Sequence, residues 1–173
     1  MKLTLSHIET PTGPMMLLLD DAKRVRLFEW VDHQARMDRL LARHYPKMTF
    51  SISESAAPAD YPAAIYAYFE GDIEALDALP VAFGGTVFQQ TVWHALQTIP
   101  AGTTLSYGQL AAQIGNPNAM RAVGLANGAN PIALIVPCHR VIGANGALTG
   151  YGGGMARKHW LLAHEGALPQ NLL

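Results

Sequence analysis

The sequence predicts an α+β protein in which a mixed strand-and-helix front half precedes a mostly helical rear half. Short apolar or alternating runs separated by turn residues occupy residues 1–30 and indicate strands. Two capping-box patterns followed by apolar residues at helical spacing occur after residue 85. Half of the residues are hydrophobic and only 14% are charged, which indicates a packed core and excludes general disorder.

The front half is expected to form a small antiparallel sheet with two helices. A Thr-Pro-Thr-Gly-Pro turn at residues 10–14 separates the first two strands. Gly71 is expected to end the second helix, and the Pro80 and Gly-Gly segment at residues 79–85 reads as a linker. We expect strands at residues 1–8, 15–19 and 25–30, helices at residues 34–45 and 61–71, and domains at residues 1–84 and 85–173.

The rear half begins with two helices whose starts are marked by capping-box spacing, Thr86 with Gln89 and Ser106 with Gln109. An Asn116-Pro117 pair is expected to open a third helix that runs to about residue 128. Two short helices joined by a tight turn fit the helix-turn-helix pattern. The second of these helices carries Arg121 among small and apolar residues, which favours close approach to a phosphate-lined groove.

The net charge of -1 conceals an asymmetry between the two halves. Residues 1–84 have a net charge of -4, whereas residues 85–173 have a net charge of +3 and contain one acidic residue, Glu165. The rear half is therefore the part expected to meet an anion, and nucleic acid is the obvious candidate. The chain has one cysteine, so an internal disulfide is excluded and a reducing cytoplasm is the expected compartment. No signal peptide or membrane span is expected.

Cys138 is the candidate nucleophile. It follows an apolar run at residues 132–136, which reads as a buried strand ended by Pro137, and it precedes His139 and Arg140. Neighbouring cations lower the pKa of a thiol below its free value of about 8.5 and so populate the thiolate. A lone cysteine can also be an inert core residue, and the pattern Cys-His alone leaves both readings open.

Wider motifs around Cys138 resemble the O6-alkylguanine-DNA alkyltransferase family, of the bacterial constitutive type. The resemblance spans residues 86–166, and its centre is a Pro-Cys-His-Arg-Val run at residues 137–141. The other matching segments are Phe88-Gln89, Ser106-Tyr107-Gly108, Arg121-Ala122-Val123-Gly124, Gly128-Ala129-Asn130-Pro131, Thr149-Gly150-Tyr151-Gly152-Gly153 and Lys158. It implies a ribonuclease H-like mixed N-terminal domain and a C-terminal domain with a winged helix-turn-helix.

The resemblance also implies a reaction: irreversible, single-turnover transfer of an alkyl group from O6-alkylguanine in DNA to Cys138. His139, oriented by Glu165, would take the thiol proton through a water. Tyr107 would donate a proton to N3 of the departing base. The same family implies action on O4-alkylthymine as a further possibility, with double-stranded DNA as partner and a monomer in solution.

The remaining residues that the resemblance implies contact DNA or form the base pocket. Arg121 would enter the duplex and fill the gap left by the extruded nucleotide. Asn130 would brace the turns around the active site. The other DNA contacts expected are Ser106, Ala119, Met120 and Ala122, and the other pocket or support residues are Arg140, Val141, Tyr151, Gly152 and Gly153. Some family members hold zinc through front-domain cysteines, which this chain lacks, so no metal or cofactor is predicted.

Two other classes are alternatives to repair. A binding module could recognise alkylated DNA without repairing it, but relatives of that kind lack the cysteine. A cysteine hydrolase could use Cys138, His139 and Glu165 as a triad. Thiol hydrolases usually bring the histidine from a distant segment, whereas here it is adjacent to the cysteine.

Overall fold

The computed structural model describes residues 1–168, and these residues form two compact units. The first unit contains residues 1–85 and the short segment 131–135, and the second contains residues 86–130 and 136–168. The α+β class predicted from the sequence is confirmed, with a sheet in the first unit and mainly helices in the second. No helix among residues 1–168 combines the length and apolar character that crossing a bilayer requires.

The first unit is built on a four-stranded sheet. Strands β1 (Lys2–Ile8), β2 (Met15–Asp20) and β3 (Val25–Trp30) form an antiparallel meander. A fourth strand, β4 (Ser51–Glu54), pairs parallel to β1 at the edge of the sheet, and the strand order is β3-β2-β1-β4. The three antiparallel strands were predicted. Strand β4 was not predicted. Its four residues are all exposed, so they lack the alternation of buried and exposed positions that indicates a strand.

Helix α1 (Gln34–His44) covers one face of this sheet. Its apolar residues recur at helical spacing and bury Met37 and Leu41 against side chains of the strands. Helix α2 (Asp60–Glu70) buries Tyr61, Ile65 and Tyr68 and ends at Gly71, which has the left-handed φ of 111° that favours glycine. Both helices lie where the sequence predicted them.

Residues 132–136 do not form the predicted strand. Ile132 makes one parallel bridge to Phe28 of β3, and the Ala133 N–H donates to the Phe28 carbonyl at 2.8 Å. The chain then turns: Leu134 has a φ of 65°, and the Ile135 N–H donates to the Ala133 carbonyl at 2.8 Å. The whole run is buried. The apolar character of this run therefore reflects its burial and not extended strand pairing, and an apolar run alone does not distinguish these two structures.

The second unit is mainly helical. Helix α3 (Val87–Gln97) starts at the predicted capping box, in which the Thr86 hydroxyl and the Gln89 side chain exchange hydrogen bonds with each other's backbone N–H. Helix α4 (Tyr107–Gln113) starts at the second predicted capping box, Ser106 with Gln109.

A single 3-10 turn, Pro117–Ala119, separates α4 from helix α5 (Met120–Gly128). Asn116 stands at the N-cap position and Pro117 at the start of the turn, as predicted, but this first turn is 3-10 and not α-helical. The Ala119 N–H donates to the Asn116 carbonyl at 2.9 Å, a three-residue bond, and the Asn116 side chain makes no cap. The helix pair itself is present, and the Trp93 indole fixes α5 against α3 by donating to the Ala126 carbonyl at 2.9 Å.

Two short strands and a last helix complete the second unit. Strand β5 (Leu105–Ser106) pairs parallel to β6 (Val141–Ile142). Helix α6 (Met155–His164) follows Gly154 and buries one face through Lys158, Leu161 and Leu162. Because β5 precedes α4 directly and β6 follows Arg140 directly, this pairing brings the start of α4 close to the Cys138 segment.

Candidate active site around Cys138

Cys138 opens a single 3-10 turn, Cys138–Arg140, directly after Pro137. The residue is 6% exposed and its thiol is free of any disulfide. The side-chain amide of Asn130 donates to the Cys138 sulfur at 3.1 Å and to the Val136 carbonyl at 2.8 Å. The Asn127 amide donates to the Cys138 carbonyl at 3.3 Å. Asn127 and Asn130, which both precede the segment 131–135, thus hold the Cys138 turn, and the Asn130 N–H directed at the sulfur stabilises negative charge there.

A buried ion cluster lies next to this turn. Glu165, the residue that follows α6, meets His139 Nε2 through Oε1 at 2.8 Å. Arg140 forms a fork with the same carboxylate, Nε to Oε2 at 2.8 Å and Nη2 to Oε1 at 3.0 Å. The remaining guanidinium nitrogen of Arg140, Nη1, donates a hydrogen bond to the Ile99 carbonyl at 2.6 Å. The dipole at the end of α6 disfavours an anion, and the structure gives Glu165 two partners there, Arg140 and His139.

The charge state of Glu165 follows from these contacts. Burial by itself would raise the pKa of the Glu165 carboxyl, but the charge and hydrogen bond of His139 and those of Arg140 hold it well below its ordinary range. An ionised carboxylate can only accept hydrogen bonds, so His139 donates from Nε2. In the neutral imidazole, Nδ1 then carries the lone pair. That nitrogen is buried and has no hydrogen-bond partner among residues 1–168, which leaves it available to take a proton.

Tyr107 is the first residue of α4 and is partly buried. Its hydroxyl accepts a hydrogen bond from Thr149 Oγ1 at 3.3 Å. Gly124 of α5 lies close to the Tyr107 ring: a Cβ atom added at Gly124 would be 3.7 Å from Tyr107 Cδ1. Ser106, expected to contact DNA, uses its hydroxyl to cap α4 and so fixes the backbone from which Tyr107 projects.

Lys158 ties the glycine-rich segment 143–154 to β6. Its ammonium, on a residue with no exposed surface, donates to the Val141 carbonyl at 2.6 Å and to the Thr149 carbonyl at 2.7 Å. Burial lowers the pKa of Lys158 to about 8, and the charge of the Cys138 thiolate acts in the opposite direction. From the sequence, Lys158 was named only as part of a motif. Its place on the apolar face of α6 is the feature that could have indicated a buried lysine bound to backbone carbonyls.

The predicted pocket residues lie around the same turn. Val141 is fully buried, and the ring of Tyr151 stands edge-on to the His139 ring with centroids 6.4 Å apart. The Tyr151 hydroxyl oxygen is buried as well. Gly152 and Gly153 precede α6, and Gly153 is buried. Val141 and Tyr151 therefore lie beside the Cys138 turn, and Gly152 and Gly153 follow Tyr151 in the chain.

The predicted DNA contacts on the helix pair form a separate group on the surface. Met120, Arg121 and Ala122 open α5 and are exposed, and Ala119 ends the preceding 3-10 turn. Asn127, which the sequence analysis missed, belongs to the buried side of the same helix and reaches Cys138.

Comparison with known proteins places this site in a family. The family model described as the DNA-binding domain of 6-O-methylguanine DNA methyltransferase matches residues 87–167. Proteins named methylated-DNA–protein-cysteine methyltransferase are similar over most of the chain. The one from Shigella flexneri is 48% identical over 168 residues, covering 97% of this chain and 98% of its own. The one from Mycobacterium tuberculosis is 47% identical over 159 residues, covering 91% and 89%.

Solved structures agree with the sequence relatives. The crystal structure of Mycobacterium tuberculosis O6-methylguanine methyltransferase matches with a TM-score of 0.77 and 41% identity, covering 98% of this chain and 97% of that one. A structure of Mycobacterium tuberculosis OGT in complex with DNA matches with a TM-score of 0.76 and 40% identity, covering 99% and 98%. By this similarity over nearly its full length, the chain belongs to the methylated-DNA–protein-cysteine methyltransferase family.

Proposed function

We propose that this chain repairs DNA by transferring the alkyl group of O6-alkylguanine to the sulfur of Cys138. The observation that carries the proposal is the buried network in which Asn130 contacts the Cys138 sulfur and His139, Arg140 and Glu165 form one ion cluster. The relatives' names, which describe methyl transfer from DNA to a protein cysteine, support the same reaction.

Activation of Cys138 requires removal of the thiol proton. Nδ1 of His139 is the base, and the proton reaches it through a water, as the family resemblance implies. The imidazolium that forms is stabilised by the ionised Glu165 at 2.8 Å. Arg140 keeps that carboxylate in place through its two-bond fork. The Asn130 amide and the Lys158 ammonium stabilise the thiolate that remains.

The transfer itself is a displacement at carbon. An electron pair of the thiolate forms a bond to the alkyl carbon as the bond from that carbon to O6 breaks, and the pair of the broken bond stays on the purine. The departing guanine anion is a poor leaving group. A proton from the Tyr107 hydroxyl to N3 of the base neutralises that charge as it develops, which lowers the barrier. The product is a thioether at Cys138 and an unmodified guanine.

The substrate is a base within double-stranded DNA, which the protein binds as a monomer. Ala119, Met120, Arg121 and Ala122 lie against the duplex, and Arg121 occupies the space of the extruded nucleotide. O4-alkylthymine is a second substrate of the same chemistry, since its alkyl carbon is also bonded to an exocyclic oxygen. A thiol that must stay reduced to react favours a cytoplasmic location.

Intact-mass measurement tests the proposal. The protein is incubated with a duplex that contains one O6-methylguanine, and its mass is compared with that of protein incubated with the unmodified duplex. We expect a gain of one methylene group that maps to the peptide containing Cys138. An unchanged mass, or a gain on any other residue, would refute the proposal.

A further inference from the structure

Thr149 binds two residues of the site through two different groups. Its side-chain hydroxyl donates to the Tyr107 hydroxyl oxygen at 3.3 Å. Its backbone carbonyl accepts a hydrogen bond from the buried Lys158 ammonium at 2.7 Å. From the sequence, Thr149 was named only as part of a motif. The structure thus bonds it both to the predicted proton donor and to the lysine whose charge interacts with the Cys138 thiolate.

The chain before Thr149 is held in a tight turn. The Gly143 N–H donates to the Ala147 carbonyl at 2.8 Å, and the Gly146 N–H donates to the Gly143 carbonyl at 2.9 Å. A Cβ added at Gly143 would stand 3.5 Å from Thr149 Cγ2, so the Thr149 methyl group lies close to this glycine. These contacts and the bond from Lys158 fix the place from which the Thr149 hydroxyl donates.

The direction of the bond between the two hydroxyl groups suits proton donation by Tyr107. A phenol has one hydrogen, and in the proposed reaction that hydrogen goes to N3 of the base. The phenol oxygen then has lone pairs that accept, and Thr149 donates to it. Once the proton has moved to N3, negative charge stays on the Tyr107 oxygen. A hydrogen bond to a charged oxygen is stronger than one to a neutral oxygen, so this bond strengthens during the transfer.

We propose that Thr149 is a positioning residue for the transfer reaction: its hydroxyl holds the Tyr107 oxygen and stabilises the phenolate left after Tyr107 protonates N3 of the departing guanine. The inference rests on the proposed function, in which Tyr107 is the proton donor. Thr149 keeps its own proton, and water reprotonates the phenolate after the guanine has left. A base seated against Tyr107 excludes water from this exposed pair, so the bond is stronger in the complex than in the free protein.

Single-turnover transfer from a duplex that contains one O6-methylguanine tests this role. Thr149→Val keeps the branched shape and the backbone carbonyl but removes the hydroxyl. We expect its maximal transfer rate to fall about tenfold, the effect of one hydrogen bond to a charged oxygen. The duplex concentration that gives half the maximal rate should stay unchanged, because the bond acts on departure of the base and not on binding of the duplex.

Two variants serve as controls for this loss. Thr149→Ser retains the hydroxyl and should restore most of the rate. Thr91→Val is the matched control, because it removes the hydroxyl of an exposed threonine on α3 that donates to the Val87 carbonyl, and it should transfer at the wild-type rate.

Two further measurements separate this role from general support of the fold. Tyr107→Phe removes the hydroxyl on which Thr149 acts, so Thr149→Val should cause no further loss of rate in the Tyr107→Phe background. Methyl iodide methylates the Cys138 thiolate as the carbon–iodine bond breaks, and the iodide leaves without a proton. Thr149→Val should therefore react with methyl iodide at the wild-type rate.

Four results would contradict the inference. A wild-type transfer rate in Thr149→Val, with a slow Tyr107→Phe, would refute the role of Thr149 and leave the proposed function standing. Equal losses with O6-methylguanine and methyl iodide, or additive losses in the double variant, would assign Thr149 to the fold or to the thiolate. A wild-type rate in Tyr107→Phe would remove both residues from proton donation. Absence of transfer by the wild-type protein would refute the proposed function itself.

Discussion

Glu165 is the residue on which the buried cluster depends, because its two oxygens bind both His139 and Arg140. Without these partners an ionised Glu165 would destabilise the fold, because removing a charge from water costs several kcal/mol unless partners compensate. The Arg140 guanidinium and the hydrogen bond from His139 outweigh that cost and keep Glu165 ionised. In this account the carboxylate fixes the histidine tautomer, and the tautomer leaves Nδ1 as the base.

Replacing Glu165 by glutamine should therefore impair activation of the thiol. Glutamine is neutral and stabilises imidazolium less, so we expect Glu165→Gln to slow alkyl transfer about a hundredfold and to move the pH–rate profile to higher pH. Alkylation of Cys138 by free O6-benzylguanine, measured across pH, gives the profile without DNA binding. Glu70→Gln, at an exposed position, is the control. A profile in the same place as that of the wild type would remove Glu165 from this role.

The same carboxylate predicts how stability depends on pH. The pKa of Glu165 is lower in the folded protein than its ordinary value of 4.5, so its contribution to stability is present above that value and is lost as pH falls below it. Loss of one partner from a buried ion pair costs about 3–5 kcal/mol. Urea unfolding should show Glu165→Gln to be less stable at neutral pH and to lose less stability on acidification than the wild type.

Lys158 predicts a second rise of stability with pH, at alkaline pH. Its folded-state pKa of about 8 lies below its ordinary value of 10.5, so the unfolded chain binds the proton more tightly and stability rises as pH increases between these two values. We expect Lys158→Met to lack this rise and to be destabilised by about 2–4 kcal/mol at neutral pH, because two buried carbonyls lose their donor. Lys47→Met, at an exposed position, should behave as the wild type. Parallel pH dependences for the wild type and Lys158→Met would contradict this assignment.

At the scale of elements, the sequence predicted what short-range bonds determine. The capping boxes at Thr86 and Ser106 close within three residues, so their residue spacing is enough to place the starts of α3 and α4. Pairings between distant segments left no such signal: β4 and the two-residue pair β5–β6 were missed. Residues 132–136 were wrongly predicted as a strand because their apolar character reflects burial and not strand pairing.

For the active site, too, the sequence predicted some residues and left out others. Cys138, His139 and Glu165 were named because a family motif and a helix end identify them. The second donor on Glu165, Arg140, was expected only to support the pocket, and Asn127 was not named. Both act through contacts that span 11 or more residues, Asn127 to the Cys138 carbonyl and Arg140 to Glu165. Such contacts become visible only when the fold is known.

Arg121 on helix α5 is predicted to matter for repair within a duplex. Arg121→Ala should reduce repair of O6-methylguanine in a duplex far more than reaction with free O6-benzylguanine. The reason is that extrusion of the nucleotide costs about a few kcal/mol, which the arginine offsets and the free base never incurs. Rates of both reactions, measured with the same protein preparations, give the ratio. Equal losses on both substrates would show that Arg121 supports the fold or the pocket instead.

For the molecule as a whole, reaction changes the core of the second unit. Cys138 is 6% exposed and Asn130 donates to its sulfur, so an added methyl group must displace that contact within packed surroundings. Overpacking of this kind costs about 1–3 kcal/mol. We expect the methylated protein to melt a few degrees lower than the unreacted protein, at about 2–4 °C per kcal/mol for this size, and the benzylated protein lower still.

Calorimetry of the reacted and unreacted protein in the same buffer measures this change. Protein incubated with unmodified duplex and then separated from it is the control for handling. Equal melting temperatures would refute the packing argument alone and would leave the transfer reaction untouched.

The stoichiometry of transfer tests whether Cys138 is the irreversible acceptor of the alkyl group. A thioether at Cys138 has no leaving group that water displaces easily, so each molecule should react once. With duplex containing O6-methylguanine in large excess, we predict a burst of repaired guanine equal to the protein concentration and no further product, with no burst from Cys138→Ser that still binds the duplex. Continued turnover by the wild type, or repair by Cys138→Ser, would contradict the account.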